Sequence, residues 1–173
     1  MFIFILYVFY LFIIGCSSND DNNGISDIIN GDEQIYVCMD EFDFNSSTLQ
    51  AFYYFYSVTL NGEAISSDDW VGAFNGDVCV GARQWDTSPS NCGSGVCDVP
   101  AMGDDGQSFT SGYLMTHDVP TFKIYDSSEG KIYATNLMNE LGEIIDAPSW
   151  ANNDLNIIHS LVAIPEIEIN CSD

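Results

Sequence analysis

From about residue 34 onward the chain alternates short apolar runs with clusters of Gly, Asn, Asp and Ser, and the runs are rich in aromatic and β-branched residues. That is the rhythm of strands and turns rather than the 3.6-residue period of helices. The pattern predicts strands over 34–39, 51–60, 70–74, 78–85, 113–116, 121–125, 131–135 and 156–163. Asn61-Gly62 and Asn75-Gly76 predict tight hairpins whose central residues both take positive φ. Only 137–141 carries a helical pattern, and it is short. Strands at this spacing predict an all-β fold, a single β-sandwich of about eight antiparallel strands. In Phe52-Tyr53-Tyr54-Phe55-Tyr56 aromatics fall on both faces, which predicts a central strand covered on both sides.

Between residues 86 and 107 the strand signal stops, and the segment holds Pro89, Cys92, Cys97, Pro100 and the Gly103-Asp104-Asp105-Gly106 turn. A structureless insertion of this length in a compact domain is usually functional or disordered, and a cysteine bridge speaks against disorder. This long disulfide-pinned loop, with Trp85 where it starts and Tyr113 where it ends, is therefore the predicted working surface.

The opening MFIFILYVFYLFIIGC is an unbroken apolar run ending in small residues, the form of an export signal, although no Lys or Arg precedes it. It is too short for a membrane-spanning helix, which needs about 20 apolar residues. Ile13-Ile14-Gly15-Cys16 resembles the bacterial lipoprotein signal, which implies cleavage before Cys16 and a lipid on that residue; the alternative is a disulfide at Cys16 after cleavage elsewhere. The chain then divides into an export signal at 1–16, an acidic polar tether at 17–33 and one β-sandwich domain at 34–173. The expected location is extracellular, at the cell surface, with the membrane contacted through the lipid anchor alone.

Acidity narrows the partners. The 26 Asp and Glu face only Arg83, Lys123 and Lys131, for a formal charge of −23, so a phosphate backbone is repelled and nucleic acid is excluded as a partner. Such acidity reads either as a surface solvated in salt or as a set of oxygen ligands for Ca2+. With 46% apolar residues the chain is not intrinsically disordered.

Five cysteines follow Cys16. The two glycines in NCGSGVC let Cys92 turn back onto Cys97, and Cys38 with Cys171 would staple the domain's ends. Cys79 then remains as a buried free thiol in VCVGA, and pairing of Cys38 with Cys79 stays open.

The residues offer no catalytic pattern. His117 and His159 stand outside any HExxH or GxSxG context, and no spacing singles out a carboxylate pair, so a non-enzymatic role is expected. Calcium is the better-supplied metal, through Asp98, Asp104 and Asp105 in a glycine-flanked turn or through Asp68, Asp69 and Asp77 around a hairpin; an ordinary polar turn is the alternative in both places. Sugar binding asks for a flat aromatic face beside planar hydrogen-bonding groups, and Arg83, Gln84, Trp85 and Asp86, with Tyr113, supply them near the long loop. Trp70 is assigned to the core, and Trp150 to a rim or a cap.

The stretches SSDDWVGAFNGDVCVGARQWDTS and PAMGDDGQSFTSGYLMTHDVPTFKIYDSSEGKIYAT resemble a repeated module in large secreted and surface proteins of marine and Bacteroidetes-type bacteria. The resemblance spans about half the chain. It implies a β-sandwich similar to adhesive and carbohydrate-binding modules, here without an accompanying enzyme or sorting domain. The expected function is a non-catalytic surface module that binds extracellular polysaccharide or a surface protein, with calcium assisting. The alternative is a structural subunit of a fibre or surface layer that self-associates, with 165–169 as an edge strand.

Overall fold

The computed structural model describes residues 39–92 and 96–169, with side chains as far as Pro165. The export signal, the tether and the residues Cys16, Cys38 and Cys171 lie outside the described residues. The fold is all-β: β1 (Gln50–Leu60), β2 (Glu63–Ala64), β3 (Trp70–Asn75), β4 (Val78–Gln84), β5 (Cys97–Met102), β6 (Thr121–Asp126), β7 (Lys131–Met138), β8 (Ile144–Ile145) and β9 (Leu155–Ile169). A 3-10 turn at Ser108–Thr110 interrupts the strands.

The strands join one continuous sheet in the order β2-β1-β9-β7-β6-β3-β4, rather than two separate sheets of a sandwich. One edge of β1 carries both β5 and β2, and its other edge pairs with β9. That last pairing is parallel, from Phe52↔Leu155 to Thr59↔Val162, whereas a wholly antiparallel arrangement was expected. The sheet curls until its ends, β4 and β5, touch. A Cβ built on Gly81 would lie 1.7 Å from the Pro100 carbonyl oxygen, and Arg83 Nε donates to the Asp98 carbonyl at 2.5 Å.

The curl encloses the main core. Ala51, Tyr53 and Phe55 of β1 meet Val71 and Ala73 of β3, Val99 and Ala101 of β5, and Phe122 and Ile124 of β6, all buried. Tyr53 and Phe55 each set a ring edge against Phe122, at 5.2 Å between centroids. Burying an aromatic side chain stabilises the fold by about 1.5–3 kcal/mol, so this cluster holds the curl shut. Trp150 caps it, with Nε1 donating to the Ala101 carbonyl at 2.9 Å and its ring filling the space beside Gly103.

A second cluster covers the outer face of β3 and β6. Phe42, in the segment before β1, packs on Phe74 (5.5 Å between centroids) and Tyr125 (6.0 Å), with Trp70 alongside. Gly72 leaves the room for that ring, since a Cβ there would come within 2.8 Å of it. Lys123 Nζ sits 4.2 Å from the Phe74 ring centre and 3.9 Å from a Glu41 carboxylate oxygen. No comparable cover lies over β1 and β9 among the described residues, where Tyr56, Leu155 and Ile157 are exposed.

Several local expectations change. At Asn61-Gly62 both residues have positive φ, as predicted, but the other hairpin turns at Gly76-Asp77, and there only Gly76 does. Residues 113–116 form no strand and contribute one isolated bridge, Gly103↔Leu114. The region 137–141 is the end of β7 followed by a turn, not a helix. The tail segment 165–169 continues β9 and pairs with β7 as far as Ile132↔Ile169. Most of 34–39 lies outside the described residues.

Candidate functional site

The loop that begins at Trp85 is shorter than its composition implies, because Cys97–Met102 is a strand paired with β1. Cys92 and Cys97 are bridged, with Cα atoms 5.0 Å apart, and the bridge delivers the chain into β5. Inside the loop the Asp86 carboxylate accepts from the Ser88 amide at 2.9 Å and from Asn91 Nδ2. These bonds, chiefly that from the Ser88 backbone, hold its pKa below the ordinary carboxylate value. Asp86 is thus the loop's internal fastener.

Two predicted contact residues face inward. Trp85 is 3% exposed, lies 6.2 Å from the Phe55 ring and belongs to the main core; its amide donates to the Asp69 carbonyl at 2.7 Å. It has no free ring face for a sugar. Tyr113 is likewise buried, and its hydroxyl accepts from the Asn45 amide at 2.6 Å, which ties the segment before β1 to the loop. Gln84 is exposed at the end of β4, where Nε2 donates to the Ser67 carbonyl at 3.0 Å.

The predicted metal trio does not converge. Asp98 is paired with Arg83, with 3.0 Å between Asp98 Oδ1 and Arg83 Nη2. Four residues of strand, about 13 Å, separate Asp98 from Met102 at the end of β5. Asp104 Oδ1 accepts from the Gly106 amide at 2.8 Å. Asp105 uses both oxygens: Oδ2 accepts from the Thr48 amide (3.1 Å) and hydroxyl (3.0 Å), and Oδ1 from the Thr110 hydroxyl (2.9 Å) and the Gln107 amide (3.3 Å). The second trio is also dispersed, because Asp69 precedes β3 and Asp77 follows it; the Asp69 carboxylate takes the Ser66 and Ser127 amides at 2.7 and 2.9 Å. Among the described residues no group of three His, Cys, Asp or Glu side chains stands close enough to hold a metal ion.

Asp105 therefore works as a clip between the loop and the segment before β1. Donors around the carboxylate, first the Thr48 amide, bring its pKa down to about 2. A folded-state pKa below the unfolded value of about 3.9 adds stability that is complete above that value and is lost as pH falls toward 2. Asp105→Asn is expected to melt below the wild type at pH 7, with the gap closing between about pH 4 and pH 2. Thermal melts followed by circular dichroism across that range check it, and a gap that stays constant would contradict the role of the charged form.

What the structure does bring together is a surface on the outer side of β5, β1 and β9. The inward residues Tyr53 and Phe55 alternate with Phe52, Tyr54 and Tyr56, which face the other way. In register, Phe52 stands between Pro100 and Leu155, and Tyr54 between Asp98 and Ile157. Tyr56 neighbours His159, with 6.3 Å between ring centroids. Tyr56 is 57% exposed, Leu155 66% and Ile157 65%, while Phe52 and Tyr54 are half-buried. The expectation of a strand covered on both faces is corrected accordingly. Arg83 reaches this surface through its pairing with Asp98, so one predicted contact residue does belong to it. Tyr54, Tyr56, Ile157 and His159 were not singled out as contact residues from the sequence; the one signal for the two tyrosines was that aromatics fill both parities of 52–56. No family model, curated protein or solved structure matches the chain.

Proposed function

We propose that this chain is a non-catalytic module that works outside the cell, held at the membrane by a lipid on Cys16, and binds glycan on the outer face of β5, β1 and β9. The observation that carries the reading is the exposed aromatic and aliphatic face itself, with Leu155, Ile157 and Tyr56 exposed in successive rows along it and no cover over them among the described residues. A monomeric soluble protein rarely leaves a contiguous apolar patch of this kind without a use for it. Tyr54 and Tyr56 offer ring surface with a polar tip, and Arg83 with Asp98 adds directional hydrogen-bonding groups in the row of Tyr54. The export-type leader and the Cys92–Cys97 bridge both fit an oxidising compartment.

Affinity electrophoresis through gels containing polysaccharide tests the reading. Tyr56→Ala is expected to leave the melting temperature nearly unchanged, since an exposed substitution usually costs within about 0.5 kcal/mol, while abolishing most of the retardation. Retardation that survives in Tyr56→Ala would move the site away from this face.

A further inference from the structure

Resting on that reading, we infer that the ligand of this face is an uncharged polysaccharide, taken by the row Tyr54, Tyr56, Ile157 and His159 with the Arg83–Asp98 pair at its edge. The inference comes from where charge is missing. The whole chain carries 26 acidic side chains and a formal charge of −23, yet Gln50–Leu60 contains no Asp, Glu, Lys or Arg. Residues 155–165 of β9 contain none either, and Cys97–Met102 has Asp98 alone, which Arg83 neutralises. This apolar face is thus also a nearly neutral window in a strongly anionic chain.

Three classes of occupant respond differently to that arrangement. An anionic polysaccharide brings many like charges against the surrounding acids, and the repulsion reaches about 8 Å at physiological salt, far enough to act across a window three strands wide. A second copy of the chain brings its own −23, so face-to-face pairing sets two such surfaces against each other. An uncharged polyol chain meets neither penalty. It finds ring faces for its C–H groups and hydroxyl partners on the tyrosines, His159 and the ion pair, whose side chains retain 34% and 19% exposure.

The dimensions suit a chain ligand. Because β1 and β9 are parallel and in register, Phe52–Leu155, Tyr54–Ile157 and Tyr56–His159 form successive rows two residues apart. Each step is about 6.7 Å, so the platform runs about 13 Å along the strands, long enough for a short run of sugar rings. Exposed Ile157 and Leu155 offer apolar surface against which sugar rings can lie.

The test uses the exported, processed protein in affinity gels containing hydroxyethylcellulose, galactomannan or laminarin as uncharged polymers, and alginate or dextran sulfate as anionic ones, at low salt and at about 0.5 M salt. At least one uncharged polymer should retard the protein equally at both salt levels, and the anionic ones should not. Tyr56→Ala and Ile157→Glu should each weaken that retardation about tenfold, the loss of one aromatic or aliphatic contact, while melting with the wild type. Retardation by alginate or dextran sulfate that Tyr56→Ala removes would overturn the uncharged class and leave the face as the binding site. Retardation by no polymer would overturn both readings. Light scattering supplies the remaining outcome: a dimer that Ile157→Glu dissociates would give the face to a second copy and overturn the proposal.

Discussion

Gly81→Ala should be among the most damaging single-methyl additions in the protein, lowering stability by about 3 kcal/mol or more and the melting temperature by roughly 10 °C. The added Cβ would sit 1.7 Å from the Pro100 carbonyl oxygen and 2.7 Å from its carbonyl carbon. Both atoms are backbone, so no side chain can swing aside, and β4 and β5 would have to part. Parting them breaks the Arg83 bond to the Asp98 carbonyl and opens the core between Val80 and Val99. Gly76→Ala is the control. Gly76 has φ of 62° and open space around it, so alanine meets only the backbone penalty of the left-handed region, about 1–2 kcal/mol. Urea titrations of the two variants should separate them clearly; equal losses would mean that the β4–β5 contact does not close the fold.

The same contact explains what the sequence made legible and what it did not. Runs such as 51–60, 70–74 and 121–125 announce strands because each puts apolar side chains at strand spacing between turn residues. All three are strands. Cys97–Met102 was hidden by Pro100, which breaks a ladder in a central strand but is tolerated at an edge, and β5 is paired with β1 on one side only. That β9 lies parallel to β1 has no local signature at all, because pairing partners are chosen by the packed whole. The candidate surface shared this fate. Aromatics on both parities of 52–56 state that both faces are apolar, but only the fold decides which is covered. Phe42 went to β3 and β6, and among the described residues nothing comparable covers β1.

Trp85→Ala should cost about 3–5 kcal/mol, the range for removing a large aromatic from a core, and most of the folded population would be lost on modest warming. Its side chain is 3% exposed and fills the space beside Phe55, at the point where β4 hands the chain into the disulfide loop. Deleting it leaves a cavity beside Phe55, whose ring stays held on Phe122 and so fills the space only in part. Sequence alone offered Trp85 as a sugar platform because it sits among Arg83, Gln84 and Asp86, and polar neighbours suggest a surface. The polarity is real, but each group is engaged locally: Arg83 with Asp98, Gln84 with Ser67 and Asp86 with Ser88 and Asn91. The indole alone turns inward. Trp85→Phe, which keeps a ring in the cavity, should recover a large part of the loss. Denaturant unfolding of both variants beside Tyr56→Ala then sorts the two aromatics by role. A Trp85→Ala protein as stable as the wild type but unable to hold polysaccharide would reverse the assignment and return the site to the loop.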